Sequence, residues 1–171
     1  QKGYIGGEFK VGIIPTVMPT LLPMFLNNFI KKYPKVNLII EEQTTEEIIK
    51  KLKNGHLDCA IAATPLEEEN LKEIVLYYEP FVAYVPSNHP SMDKKEIEIS
   101  DLDLDKILLL QDGHCFRNGI LNLCKNNKFI TDSHFQLESG SFETLIKLAD
   151  EGLGTTLLPY LHTLDLKDRI N

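Results

Sequence analysis

Apolar residues recur at two different periods along the first eighty positions. Phe9–Pro15 is an apolar, β-branched run of strand length. From Met18 to Tyr33, the side chains Leu22, Phe25, Leu26, Phe29, Ile30 and Tyr33 return every three or four residues, which predicts a helix with one apolar face. Pro34 stops that helix, and Val36–Glu41 is a second strand. Thr44-Thr45-Glu46-Glu47 reads as a capping box into a short helix with Ile48, Ile49 and Leu52 as its buried stripe. Gly55 suits the position just past its end. Leu57–Ala63 is almost wholly apolar and predicts a third strand buried on both faces. Strand, helix, strand, helix, strand is the pattern of a parallel sheet with right-handed crossovers.

The second half alternates less regularly. Glu73–Tyr78 and Pro80–Val85 read as extended, with Glu79-Pro80 as a hinge or crossover between them. Pro86–Asp105 is a polar connection, Lys106–Gln111 a strand, Phe116–Asn126 a helix and Phe135–Glu138 a strand. Ser141–Glu151 predicts a helix capped by Ser141, with Leu145, Ile146, Leu148 and Ala149 inward and Gly152 after its end. Leu153–Leu158 is a further strand, and Pro159 suits the first turn of a short helix. The expected fold class is α/β, in two lobes, residues 1–80 and 81–171.

Composition narrows the function classes. The 171 residues are 43% hydrophobic and 25% charged, a globular balance with ample material for a core. Apolar runs such as Ile107-Leu108-Leu109-Leu110 are strand-sized, far below the ~20 residues of a membrane span. The start, Gln1-Lys2-Gly3-Tyr4, has no signal-peptide pattern and reads as a piece of a longer protein. A net charge of −7 with no basic stripe argues against nucleic-acid binding by these residues themselves. Three cysteines suit reduced cytosolic thiols better than a secreted disulfide scaffold. No C-x-x-C or H-x₃₋₅-H pair offers a metal site.

Cys115 and Cys124 flank the predicted helix. An intact helix separates their α-carbons by about 13 Å along its axis, whereas a disulfide needs about 4.4–6.8 Å. Oxidising the pair must therefore unwind the segment between them. Gly119 and the asparagines at 118, 122, 126 and 127 weaken that helix, while Ile120, Leu121 and Leu123 supply the contacts that hold it. Cys115 has the setting of a reactive thiol, with the helix N-terminus, Arg117 and His114 beside it. Cys59, in the apolar strand, reads as a buried inert thiol. On spacing alone, two unrelated packing cysteines are the commoner reading, and the setting of Cys115 is what brings the redox reading level with it.

Leu110-Gln111-Asp112-Gly113-His114-Cys115-Phe116-Arg117, with Cys124 nine positions after Cys115, closely resembles the sensor segment of the peroxide-responsive LysR-type transcription regulators. Gly12-Ile13-Ile14-Pro15-Thr16, Leu21-Leu22-Pro23, Glu42-Gln43-Thr44, Leu57-Asp58-Cys59, Ser141-Phe142-Glu143-Thr144-Leu145 and the stretch from Gly152 to Pro159 extend the resemblance over residues 9–161. It implies a fold like the type 2 periplasmic binding proteins, two α/β lobes with a cleft between them. It also implies that Cys115 reacts with hydrogen peroxide, that Cys124 resolves the product into a disulfide, and that Thr16, Thr44, His114 and Arg117 line the peroxide pocket. Both threonines follow strands at the carboxyl end of the sheet, where helix N-capping is their alternative role. The sequence departs from the family at Gln136–Gly140, which is longer than the corresponding stretch.

The function expected is therefore regulatory and not enzymatic, with no cofactor and no metal. The resemblance implies a second copy as partner, a homodimer that becomes a tetramer in the full-length protein. A thiol reductant resets the switch, and DNA is reached only through an N-terminal winged helix-turn-helix outside this sequence. A C-terminal return segment is likewise expected to be missing. The location expected is cytoplasmic, without a membrane. The alternatives are a LysR-type domain binding a small organic inducer in the cleft, and a thiol peroxidase acting by turnover.

Overall fold

In the first half of the chain every element is arranged around one strand, β1 (Gly7–Ile13), which pairs in parallel with β2 (Val36–Glu42) on one side and β3 (Cys59–Ile61) on the other. The computed structural model describes residues 5–111, 113, 115–123, 137 and 139–167. These fall into two units, Gln1–Tyr78 and Glu79–Asn171.

In the first unit β1 is central, and its carboxyl-terminal half is buried through Ile14. Alternate side chains face opposite sides of the sheet. On one side α1 (Met18–Lys32) lays Phe25 and Phe29 over Phe9, Val11, Leu38 and Ile40, and the Phe9 and Phe29 rings stack with centroids 6.5 Å apart. These apolar side chains border a hollow of about 150 Å³ that Cys59 and Ile61 also line. On the other side Gly12 leaves room for α2 (Thr45–Lys53): a Cβ there would lie 2.7 Å from Leu57 and 3.1 Å from Ile48. Gly55, at φ +68°, turns the chain out of α2 as its position predicts.

The third strand departs from expectation. It is three residues long, its side chains are half-buried, and Ala63 is exposed. An apolar run is buried only as far as other elements cover it, and among the described residues β3 pairs with β1 alone, at the edge of its sheet. Residues 73–78, expected to be extended, form no regular element, and Ile74, Val75, Leu76 and Tyr78 are exposed.

In the second unit the order is β4 (Phe81–Tyr84), β6 (Thr155–Pro159), β5 (Ile107–Leu108), with β6 central and buried along its whole length. β6 runs antiparallel to β4 and parallel to β5. Its neighbouring leucines take opposite faces. Leu158 joins Leu108, Leu110, Phe142, Leu145, Ile146 and Ala149 in one cluster; Leu157 joins Leu102 and Ile120 in the other. Phe142, Leu145, Ile146 and Ala149 all come from α4 (Phe142–Asp150); periodicity predicts the last three to face inward, Phe142 joins them unpredicted, and Leu148, also expected inward, is only half-buried against the cluster. The buried Thr156 hydroxyl donates to the Leu108 carbonyl at 2.9 Å, tying β6 to β5. α5 (Tyr160–Lys167) starts directly after Pro159, and its first N–H groups donate to the Pro80 carbonyl and the Glu79 carboxylate.

Two local expectations need correction, and a third is not covered. The strand expected over 106–111 contracts to β5, because the Leu110 carbonyl accepts from Arg117 and the Gln111 N–H donates to Ser139. Ser141 occupies the N-cap of α4 without a side-chain cap; its own N–H donates to the Ser139 hydroxyl at 3.2 Å. The strand expected at 135–138 lies, apart from Leu137, outside the described residues.

The close approach of β6 to β5 gives the first prediction. A Cβ on Gly154 would sit 2.2 Å from the Lys106 carbonyl oxygen, so Gly154→Ala should cost about 1–3 kcal/mol, read as a lower urea midpoint at unchanged slope. A second concerns pH. The Tyr84 phenol donates to Asp150 at 2.6 Å, and burial first, then that bond, push its pKa up to about 12. A raised folded-state pKa means the contribution is present below the ordinary value of 10 and fades as pH rises towards about 12. Tyr84→Phe should remove this alkaline slope, and a decline in stability that persists in that variant would contradict it.

Candidate functional site

Cys115 is the first residue of α3 (Cys115–Leu123), and its thiol is free and half-buried. Two residues earlier Gly113 takes φ +92°, a left-handed turn that glycine adopts without penalty and that brings the chain into the helix. The Arg117 guanidinium reaches back and donates from Nη1 to the Leu110 carbonyl at 3.0 Å, bridging that approach. Leu110 is itself buried in the α4-facing cluster.

The hold on α3 is mostly aromatic. Phe116 packs edge-to-face with Phe81 of β4, centroids 4.9 Å apart, and with Phe142 of α4, 5.0 Å apart. Such pairs add about 0.5–1.5 kcal/mol beyond their buried area. Phe142 continues the row to His162, 5.1 Å away. Phe116 packs against both apolar clusters of the unit, the one side chain to do so among the described residues. Gly119, one turn on, faces Phe81 so closely that a Cβ would lie 3.1 Å from the ring. Ile120, four residues after Phe116 and on the same face, is 1% exposed. Asn118 and Asn122 face solvent.

Leu123 corrects an expectation. It was expected to help hold the helix, but it is 47% exposed at the far end. Periodicity explains the difference: Phe116 and Ile120 define the buried face, and Leu123 lies off it. Phe116 takes the role expected of Leu123. Its spacing from Ile120 was visible in the sequence, whereas its partner Phe81 is 35 residues distant and had no local signal.

Geometry excludes a disulfide across the intact helix. Cys115 and Leu123 lie about 12 Å apart along the axis, and one further peptide unit spans about 3.8 Å, so a bond needing at most about 6.8 Å cannot close while α3 persists. Cys124 and His114 lie outside the described residues.

Thr16 and Thr44 belong to the first unit, at the carboxyl ends of the paired strands β1 and β2, where Ile13 stands opposite Glu42. Thr44 is the N-cap of α2, its hydroxyl accepting from the Glu47 N–H at 3.4 Å. Thr16 is 7% exposed and does not cap α1, whose N-cap is Val17. Thr16 makes no side-chain hydrogen bond among the described residues. Cys59 is half-buried at the apolar hollow, not sealed in the core, and desolvation, then the neighbouring Asp58 charge, push its thiol pKa up. Among the described residues no group of three or more His, Cys, Asp or Glu is arranged to hold a metal, and no helix is long and apolar enough to cross a membrane.

The cap predicts a stability effect at Thr44. Thr44→Ala should lower the stability of the chain by about 1 kcal/mol, and Thr44→Ser, which keeps the acceptor, should restore most of it. Equal melting temperatures for all three would remove the capping role.

Comparison with known proteins agrees with this architecture. Residues 2–169 match the model of the LysR substrate binding domain. Over 157 residues the chain is 36% identical to the hydrogen peroxide-inducible genes activator of Dickeya chrysanthemi and 34% identical to the DNA-binding transcriptional dual regulator OxyR of Escherichia coli K12; each match covers 92% of this chain and 51% of the relative. The chain thus spans about half the length of the curated relatives it matches. Among solved structures it superimposes on a hydrogen peroxide-bound cysteine-to-serine mutant of OxyR from Corynebacterium glutamicum, with TM-score 0.81, 34% identity, and coverage of 92% of this chain and 49% of that one. It is similar also to the reduced OxyR regulatory domain of Pseudomonas aeruginosa, with TM-score 0.78, 34% identity, and coverage of 92% and 74%. The fold is accordingly the α/β fold of the type 2 periplasmic-binding-protein kind, and the chain belongs to the LysR substrate-binding domain family.

Proposed function

We propose that this chain is the regulatory domain of a LysR-type transcription factor that senses hydrogen peroxide through a reversible Cys115–Cys124 disulfide. One observation carries the reading: a free Cys115 thiol opens a helix that is intact through Leu123 and that forbids union with Cys124 while it stays folded. The names of the relatives, peroxide-inducible gene activators and OxyR, support it.

In this reading the Cys115 thiolate attacks one oxygen of hydrogen peroxide. The O–O bond breaks, the distal oxygen leaves as hydroxide and takes a proton to become water, and Cys115 is left as a sulfenic acid. The Cys124 thiol then attacks that sulfur, a second water leaves, and the disulfide forms. Two thiols and one peroxide become one disulfide and two waters, a two-electron exchange. A thiol reductant supplies the two electrons for reset. Thr16, Thr44, His114 and Arg117 are the polar groups assigned to the peroxide pocket.

The output is conformational. The disulfide and α3 exclude each other, so oxidation rebuilds this segment and changes how copies of the protein pair, as a homodimer and, at full length, a tetramer. DNA is contacted through an N-terminal winged helix-turn-helix, and the protein works in the cytoplasm. Each copy records one oxidation event and does not turn over as an enzyme.

Free-thiol titration after stoichiometric peroxide, with peptide mapping, tests the reading. Cys115 and Cys124 should disappear together into one cross-linked peptide. Cys115→Ser should abolish the reaction, while Cys124→Ser should leave a trappable sulfenic acid at Cys115. Both cysteines persisting as thiols in the wild-type chain would overturn the proposal.

A further inference from the structure

We infer that Phe116, seated between Phe81 and Phe142, is the latch that holds the reduced conformation and sets how strongly the protein resists forming its disulfide. This rests on the peroxide-sensing reading and adds to it a residue that does no chemistry. Phe116 follows Cys115 directly, so it moves with the thiol. It is wedged between rings from two different elements, β4 and α4, and packs against both apolar clusters of its unit. Gly119 grips the same Phe81 ring one turn later. Both contacts to Phe81 require residues 116–119 to be helical, since only residues three or four apart share a helix face. Closing the disulfide consumes the helix. The turn and a half that could survive is too short to sustain itself, because helix nucleation is unfavourable and short helices depend on their packing. The aromatic seat therefore belongs to the thiol form alone, and whatever it contributes there shifts the redox equilibrium towards thiols.

The exposed asparagine face and the exposed Leu123 side chain give the opposite bias. Opening should begin at Leu123 and stop at the seat, which makes Phe116 the last contact to yield. Ordinary core residues away from α3 keep their contacts in both redox forms, so they do not share this role.

The test is the thiol–disulfide midpoint of the full-length protein in mixtures of reduced and oxidised glutathione, read by alkylation and mass spectrometry. In that exchange the two protein thiols and one glutathione disulfide give the protein disulfide and two glutathione thiols. Phe116→Ala should raise the equilibrium constant for oxidation about tenfold, a midpoint about 30 mV more negative. Phe81→Ala should move it the same way by less, and Phe116→Leu should fall between wild type and alanine. The midpoint separates a latch from simple damage, because a variant that weakens both redox forms equally leaves it unchanged. If Phe116→Ala does not fold, Phe116→Leu and Phe81→Ala carry the test. Midpoints equal to wild type, or shifted to less negative values, would overturn the latch while leaving the peroxide reading intact. A wild-type chain that forms no Cys115–Cys124 disulfide would instead overturn the reading beneath it.

Discussion

A nine-residue helix and the disulfide proposed between Cys115 and Cys124 cannot exist together, and in that reading the behaviour of the second unit follows from how the conflict is balanced. In water such a helix is well below the length at which it stands alone. Gly119 costs about 1 kcal/mol relative to alanine, and two asparagines add smaller penalties. What holds α3 is full burial of Ile120, about 1.5–3 kcal/mol, together with the half-buried Phe116 packed against two rings. How strongly the disulfide competes is set by the thiol–disulfide couple it meets, at about 1.4 kcal/mol for each 30 mV. A small change on either side, such as a mixed thiol pool or the loss of one ring, is then enough to move the population.

A switch of this kind needs a support that does not move with it. β6 provides one, central in its sheet, buried throughout, and bonded to β5 through the Thr156 hydroxyl as well as the backbone ladder. Gly154 brings the two strands into contact with no space for a side chain. α4 is fastened to the same frame by Phe142, Leu145, Ile146 and Ala149 on the inside and by the Tyr84–Asp150 bond at its edge. The ring of Phe142 thus faces α3 from a rigid background, and the energy of the aromatic seat depends on α3 being helical and not on drift of its partners.

Local pattern was enough to read the helices, because their amphipathic period is a property of the segment itself. It served for α1, α2 and α4, and for the sensor motif around Cys115, whose residue order is specific. It served less well wherever the outcome depends on neighbours in space. Leu57–Ala63 is as apolar as a central strand, yet β3 lies at an edge. The run from Lys106 to Gln111 pairs for only two residues, because Arg117 and Ser139 compete for the backbone beyond them. The antiparallel pairing of β4 with β6 joins residues more than seventy positions apart and had no local signature. In the candidate site, Cys115 at a helix start and the two strand-end threonines stand in the elements their local pattern predicts, whereas the Phe81 seat had no local signal.

Arg117 illustrates how one residue type can serve a purpose other than the one its position suggests. Two places after a reactive cysteine, a cation is most simply read as an electrostatic partner of the thiolate. Its guanidinium also does mechanical work, because it donates to the carbonyl of Leu110, a residue buried in the same cluster as Phe142. The first turn of α3 is therefore fixed to the core twice, by the Phe116 rings and by this hydrogen bond, through adjacent residues. A planar fork of donors meets that carbonyl in a fixed orientation, which the compact, point-like ammonium of lysine does not reproduce. Because Phe116 and Arg117 are consecutive, unwinding that withdraws one also withdraws the other. The two restraints then fail together, which favours an abrupt change between two states over a gradual loosening of the helix.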